Sequence, residues 1–119
     1  TDVTPLTQSL ADCLRDQGYN FNAINCGGDE PLHQEREQWS DGANAFTLAP
    51  GKIINYARNK ETAAALQQAG YRQIDAADFI NTDADHTADD QQLVITISSA
   101  ELPRGRGGPR CLTLPLDRA

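Results

Sequence analysis

Cys111 stands at the end of a glycine-rich segment that runs from Arg104 to Arg110. Glycine permits backbone conformations that bulkier residues cannot adopt, so a thiol in this position can be reached by a substrate. Arg104 and Arg106 precede the cysteine by no more than seven residues. Guanidinium groups favour the thiolate, which is the nucleophilic form of cysteine. The segment therefore predicts a cysteine nucleophile and the loop that presents it.

The same residues also have less specific interpretations. Most cysteines in an intracellular domain are small buried hydrophobic residues, and we interpret Cys13 and Cys26 in this way. The arginines could belong to a solvated loop or to an arginine–glycine nucleic-acid motif. The acidic balance of the chain and the single short occurrence of the pattern disfavour that motif. We assign no role in the site to Arg104 or Arg110.

Composition narrows the class of protein. The chain has 119 residues, of which 39% are hydrophobic, and this suits one small domain with a core. Its net charge of -7 disfavours nucleic acid and anionic membranes as partners. No apolar run is long enough to span a bilayer, and the first residues lack a signal pattern. The cysteines lack the close pairing of zinc sites, so we expect no bound metal. We also expect no cofactor. The odd number of cysteines suits a reducing compartment, so we expect a cytoplasmic location.

The N-terminal part predicts a helix followed by a strand. Apolar residues recur at helical spacing between residues 6 and 14. Thr4 is the expected N-cap, Pro5 occupies the first helical position, and Gly18 is the expected stop. Apolar and polar residues then alternate over residues 19–26, which is typical of a strand.

The central part predicts one compact α/β unit. Strands are expected over residues 43–49 and 52–57, because Pro50-Gly51 between them is a strong hairpin signal. An alanine-rich helix with a glycine stop follows over 60–69, and a third strand over 71–75. Such a strand-strand-helix-strand unit exposes apolar sheet surface unless it packs against further layers.

The C-terminal part predicts a loop, two strands and a turn between them. Residues 82–92 are acidic and polar without periodicity, which is typical of an exposed loop. Residues 93–98 form an apolar strand-like run, residues 98–102 a helical turn, and residues 111–116 a final strand.

Several motifs resemble, in the same order, segments of the C-terminal part of bacterial arginine deiminases. The resemblance runs from residue 5 to residue 118, and it is specific because the motifs are several and ordered. The motifs are Glu35-Arg36-Glu37-Gln38-Trp39-Ser40-Asp41-Gly42-Ala43-Asn44, Ala49-Pro50-Gly51, Tyr56-Ala57-Arg58-Asn59, Ser99-Ala100-Glu101-Leu102 with Arg104-Gly105-Arg106-Gly107-Gly108-Pro109-Arg110-Cys111, and, upstream, Cys26-Gly27-Gly28.

This resemblance implies an α/β fold that is part of a five-bladed α/β propeller, or pentein, with strand-strand-helix-strand units. It also implies hydrolysis of L-arginine to L-citrulline and ammonia. Cys111 would attack the guanidinium carbon and form a thiouronium intermediate, which splits one difficult hydrolysis into two easier steps. Arg106 would hold the substrate carboxylate in a bidentate pair, and the backbone of Gly105 would help to shape the pocket.

The resemblance leaves part of the expected site without candidates. The family also needs a histidine that acts as acid and base, and acidic residues that grip the guanidinium. Neither His33 nor His86 lies in the family's histidine motif. We therefore expect residues 1–119 to be a C-terminal fragment that is inactive alone and depends on a missing N-terminal part. The lack of methionine and the Thr1-Asp2 start agree with this, or with removal of an initiator methionine.

Two alternatives remain open from the sequence. The chain could be a truncated, non-enzymatic binding or assembly module, and a homo-oligomer is possible for either protein. It could also act on agmatine or on peptidyl-arginine, although Arg106 disfavours agmatine because that compound lacks a carboxylate. Finally, we expect four residues of the first motif to fix a turn that braces the sheet rather than to contact substrate, namely Trp39, Asp41, Gly42 and Asn44.

Overall fold

A four-stranded mixed sheet lies at the centre of the protein, as shown by a computed structural model that describes residues 7–82 and 90–116. Helices accompany the sheet along the chain, so the expected α/β class is confirmed. The elements are α1 (Leu10–Asp16), α2 (Pro31–Trp39), β1 (Phe46–Ala49), β2 (Lys52–Tyr56), α3 (Lys60–Gln68), β3 (Arg72–Asp75), α4 (Ala76–Asn81), β4 (Leu93–Ile97) and a 3₁₀ turn (Leu102–Gly105).

The strands lie in the order β1-β2-β4-β3. The hairpin predicted at Pro50-Gly51 is confirmed, since β1 and β2 are antiparallel. β4 runs parallel to both β2 and β3 and separates them. Leu93, Val94 and Ile95 of β4 are at most 2% exposed, which is the continuous apolar pattern of a strand covered on both faces. The chain leaves this central strand directly toward the segment that carries Cys111.

Helix α3 confirms the predicted alanine-rich helix and its stop. Gly70 follows the helix with φ of +99°, a conformation that glycine adopts without strain. Ala63 and Leu66 supply the buried side of α3, which packs against β3 and α2. The strands predicted over 71–75 and 93–98 are also confirmed, as β3 and β4.

Helix α2 was not assigned from the sequence, because residues 35–39 are polar. It begins at Pro31, whose fixed φ suits the first helical position. Its Glu37 is buried and accepts hydrogen bonds from the backbone N–H groups of Glu61 and Thr62 at 2.9 and 2.7 Å. The carboxylate thus caps the first turn of α3 from another helix, where the helix dipole favours a negative charge.

The N-terminal predictions need two corrections. The first helix is capped by Ser9, whose side chain accepts from the Asp12 N–H, and it begins at Leu10; Thr4 and Pro5 lie outside the described residues. Within the described range, residues 19–26 form no strand. Instead the rings of Tyr19 and Phe21 stack on each other at 6.0 Å and remain largely exposed. Alternating apolar and polar residues form a strand only where a neighbouring strand is available to pair with them.

Three further differences concern the C-terminal part. The strand predicted over 111–116 is wrong: Cys111 and Leu112 lie in a turn, where their N–H groups both bond back to the Gly108 carbonyl, and residues 113–116 form no strand. The helical turn expected over 98–102 lies later, as the 3₁₀ turn Leu102–Gly105. Helix α4 was not predicted.

The acidic loop predicted over 82–92 is described only at its ends. Thr82 and residues 90–92 are exposed and lie outside helices and strands. Residues 83–89, which include His86, fall outside the described residues. Within the part of the chain that the structure describes, no helix is both long and apolar enough to cross a membrane.

Candidate active site

The site lies beyond the carboxyl ends of the parallel strands β2 and β4, where α/β sheets commonly bind ligands. β2 ends at Tyr56 and β4 at Ile97, and these two residues are register partners. From Ile97 the chain passes through the 3₁₀ turn into residues 104–111, which we call the Arg–Gly loop. The last residue of this loop is Cys111.

Two hydrogen bonds fix the middle of the Arg–Gly loop at Gly107. Its N–H donates to the carboxylate of Asp41 at 2.9 Å. Its carbonyl accepts from the hydroxyl of Tyr56 at 2.9 Å. Arg106 just before it has φ of +62°, which is uncommon for a residue with a side chain. These bonds hold the loop in a conformation that a free segment would rarely adopt.

Tyr56 acts as a hydrogen-bond donor at neutral pH, as an ordinary tyrosine hydroxyl does. Its surroundings reinforce this state: removal from water raises the pKa of Tyr56, and so do Asp41 and, more weakly, Cys111. A hydrogen bond with Ser99 acts in the opposite direction. The protonated hydroxyl donates to the Gly107 carbonyl.

The second half of the site is the turn formed by residues 39–44, which we call the 39–44 turn. Asp41 has φ of +57°, and its carbonyl accepts from the Asn44 N–H at 3.0 Å. The carbonyl of Gly42 accepts from the side-chain amide of Asn55 on β2 at 2.8 Å. The expected bracing of the sheet by this turn is therefore visible in direct contacts.

The two segments approach closely at Gly108. A Cβ atom built on Gly108 would lie 2.3 Å from the Cβ of Asn44 and 2.6 Å from its carbonyl oxygen. The Asn44 carbonyl also accepts from the Arg110 N–H at 3.4 Å. Only glycine fits at position 108, so the sequence of the Arg–Gly loop sets its distance from the 39–44 turn.

Cys111 is exposed, and its sulfur has one hydrogen bond within the described chain. The side-chain amide Nδ2 of Asn44 donates to Sγ at 2.8 Å. The thiol opens into a cleft of about 450 Å³ between the Arg–Gly loop and the 39–44 turn. The polar and charged residues that line the cleft are Gln38, Asp41, Asn44, Arg106, Arg110 and Cys111.

Arg106 shares this cleft with Cys111 and is held by an aromatic ring. Its guanidinium carbon lies 4.6 Å from the ring centroid of Trp39, within the range of a cation–π contact. Gly105 is exposed, and a Cβ built there would meet nothing within 4 Å among the described residues. Of the three residues predicted for the site, the structure brings Cys111 and Arg106 together, whereas Gly105 does not line the cleft.

Comparison with known proteins identifies the family. A family model described as arginine deiminase matches residues 1–118. The chain belongs to the arginine deiminase family. An arginine deiminase of Mycoplasma capricolum is 40% identical over 93% of this chain and 23% of its own length. One from Listeria monocytogenes serotype 4a is 37% identical over 98% of this chain and 24% of its own length.

A third relative, an arginine deiminase of Borrelia duttonii, is 40% identical over 85% of this chain and 20% of its own length. The chain thus spans about a quarter of the length of the curated relatives it matches. A match over a quarter of the relatives' length shows the family of this chain, and it does not by itself show the activity of a complete arginine deiminase.

Two contacts of this arginine deiminase family member were missed from the sequence. Asn44 was expected only to fix a turn, yet its amide reaches the sulfur of Cys111. Tyr56 was noted within a motif, but its bond to Gly107 was not foreseen. The available signal was that both residues lie in motifs that resemble the family. By contrast, His33 lies 3.8 Å from the carboxylate of Glu61 and is not among the residues that line the Cys111 cleft.

Proposed function

We propose that this chain supplies the nucleophile and the carboxylate anchor of an arginine deiminase, which converts L-arginine to L-citrulline and ammonia. The observation that carries the proposal is the shared cleft, which both the exposed Cys111 and Arg106 line, with the Arg106 guanidinium held over the Trp39 ring. Membership of the arginine deiminase family supports this choice of substrate. A carboxylate that pairs with Arg106 would place the rest of the substrate in the cleft.

The proposed chemistry has two stages. In the first, the sulfur of Cys111 forms a bond to the guanidinium carbon, and the bond from that carbon to a terminal nitrogen breaks. The nitrogen takes up a proton and leaves as ammonia, which gives a thiouronium intermediate. In the second, water adds to the same carbon, loses its protons, and the carbon–sulfur bond breaks to give citrulline and the free thiolate. Each stage has a lower barrier than direct attack by water.

We attribute proton transfer to groups outside the described cleft. Among its lining residues, Asp41 already accepts from the Gly107 N–H. The resemblance to arginine deiminases implies that a histidine and further acids come from other parts of a longer polypeptide. Exposed leucines near the end of the described chain support such neighbours, because large apolar side chains are stabilised when a contact removes them from water. Leu112, Leu114 and Leu116 are 58%, 81% and 92% exposed.

In the same proposal the sheet is part of a five-bladed α/β propeller, and residues 1–119 form its C-terminal portion. The order of two strands, a helix and further strands in one mixed sheet supports a unit of this kind.

The test compares this chain alone with the longer arginine deiminase polypeptide that the proposal implies. We expect the 119-residue chain to release no citrulline from arginine at neutral pH, because no histidine is among the described residues that line the Cys111 cleft. The longer protein is expected to release citrulline and ammonia in equal amounts. Turnover by the short chain that Cys111→Ala abolishes would overturn the claim of inactivity and require a base within this chain.

Arg106→Lys tests the carboxylate anchor. We expect KM for arginine to rise about tenfold with a smaller change in kcat, because a point charge cannot replace the planar fork of a guanidinium. The measurement is steady-state citrulline formation by the longer protein. Arg104→Lys is the matched control, since Arg104 pairs with Glu101 at 2.9 Å on the exposed surface. An unchanged KM in Arg106→Lys would count against the anchor.

A further inference from the structure

We propose that Asn44 is a positioning residue for the nucleophile: its side-chain amide donates to the sulfur of Cys111, favours the thiolate and orients it toward the cleft. The inference rests on the proposed function, because it concerns how the same thiol is prepared for attack. Its basis is the contact of 2.8 Å between Nδ2 and Sγ, which joins residues 67 positions apart in the sequence.

The main chain of Asn44 is fixed from both sides. Its N–H donates to the Asp41 carbonyl at 3.0 Å within the 39–44 turn. Its own carbonyl accepts from the Arg110 N–H, one residue before Cys111, at 3.4 Å. The backbone of Gly108 packs directly against its Cβ. A side chain held in this way has few alternative rotamers, so its amide is aimed at the sulfur before substrate arrives.

The other end of the amide gives this side chain no second anchor among the described residues. Asn44 Oδ1 is buried and has no hydrogen-bond partner there. Because an unpaired buried acceptor costs free energy, this amide stabilises the turn less than a fully paired one would. Here the donor end is committed to a sulfur atom, which accepts a hydrogen bond best when it carries a negative charge.

The reactivity of the thiol tests this directly. We would measure alkylation of Cys111 by iodoacetamide in the longer protein, resolved by peptide mass spectrometry, between about pH 6 and about pH 9. In Asn44→Ala we expect about fivefold slower alkylation at neutral pH, because the sulfur loses its hydrogen-bond donor. In Asn44→Asp, which has the same size, the slowing should be larger, since a carboxylate repels the thiolate.

Two internal controls keep the result interpretable. Asn22→Ala removes an asparagine from an exposed position and should leave the profile unchanged. Cys26 is half-buried and contacts Thr62, so its alkylation rate should stay constant wherever the fold is intact. If Cys26 becomes reactive in Asn44→Ala, that variant has unfolded, and the alkylation rate of Cys111 in Asn44→Asp is then compared with that of the native protein instead. An unchanged alkylation rate of Cys111 in a folded variant would refute the inference.

Turnover separates this inference from the proposed function. With arginine as substrate, Asn44→Ala should lower kcat about fivefold and leave KM nearly unchanged, whereas a general structural role would alter both. Arginine hydrolysis with an Asn44-independent alkylation profile would refute the positioning role alone. An Asn44-dependent profile in a protein that never hydrolyses arginine would refute the proposed function and leave the coupling between Asn44 and Cys111 established.

Discussion

Replacement of Cys111 by serine is expected to lower citrulline formation by the longer protein at least about a thousandfold. An alcohol is a far weaker nucleophile than a thiolate, and the structure places an amide donor rather than a base against Sγ. Serine is close in size to cysteine and the side chain at position 111 is exposed, so folding should not change. The measurement is kcat/KM for arginine, together with mass spectrometry of an acid-quenched reaction.

The quenched reaction adds a second readout to this prediction. The native protein should show a covalent adduct of arginine-derived mass on the peptide that contains Cys111, and Cys111→Ser should show none. Cys13→Ser is the matched control, because Cys13 lies in α1 and does not line the cleft. Retained turnover in Cys111→Ser would remove this residue from the mechanism, whatever the adduct experiment gives.

Gly108→Ala is expected to disrupt the site from a position that carries no reactive group. The new Cβ would lie 2.3 Å from the Asn44 Cβ, with the Asn44 backbone close behind. Neither segment can yield by rotating a side chain, so the Arg–Gly loop must move away from the 39–44 turn. Displacement of a reacting group by about 1 Å can cost about a hundredfold in rate, and we expect a loss of this size in kcat. The strain should also cost about 2 kcal/mol of unfolding free energy.

Gly105→Ala is the matched control for stability in this experiment. A Cβ at position 105 meets nothing within 4 Å among the described residues, so the melting temperature should stay near that of the native protein. Denaturant unfolding of both variants, followed beside citrulline assays of Gly108→Ala, separates strain from loss of stability. Native activity in Gly108→Ala would mean that the close approach to Asn44 is not needed for the reaction.

The sequence predicted the elements whose signals are local. Pro50-Gly51 marked the hairpin, and Gly70 marked the end of α3, because turn and cap residues act within a few positions. The strands expected over 19–26 and 111–116 were wrong, since apolar alternation says nothing about whether a sheet edge is available. Helix α2 was missed because it is held by a contact with another helix: Glu37 accepts a hydrogen bond from the Thr62 N–H of α3. The polar sequence of α2 does not reveal this contact.

In the candidate site, too, the sequence predicted local features and missed contacts between distant segments. Cys111 and Arg106 could be singled out because they share one short glycine-rich segment that resembles a known family. The contact of Asn44 with the sulfur joins two segments far apart in the sequence, and no spacing rule predicts it. Gly105 was selected for its nearness in sequence to Arg106; it is exposed and is not among the residues that line the cleft.

The position of β4 has a consequence for the order in which the protein folds. Among the described residues β4 is the last strand in sequence order, yet it lies between β2 and β3. β2 and β3 each pair with β4. The hairpin and α3 can therefore form before β4 arrives, whereas the four-stranded sheet is complete only after β4 has inserted between β2 and β3. Long-range parallel pairing of this kind is slow because the chain must first lose loop entropy. The Arg–Gly loop begins a few residues after β4, so we expect the thiol to reach its amide partner late in folding, after β4 has joined the sheet.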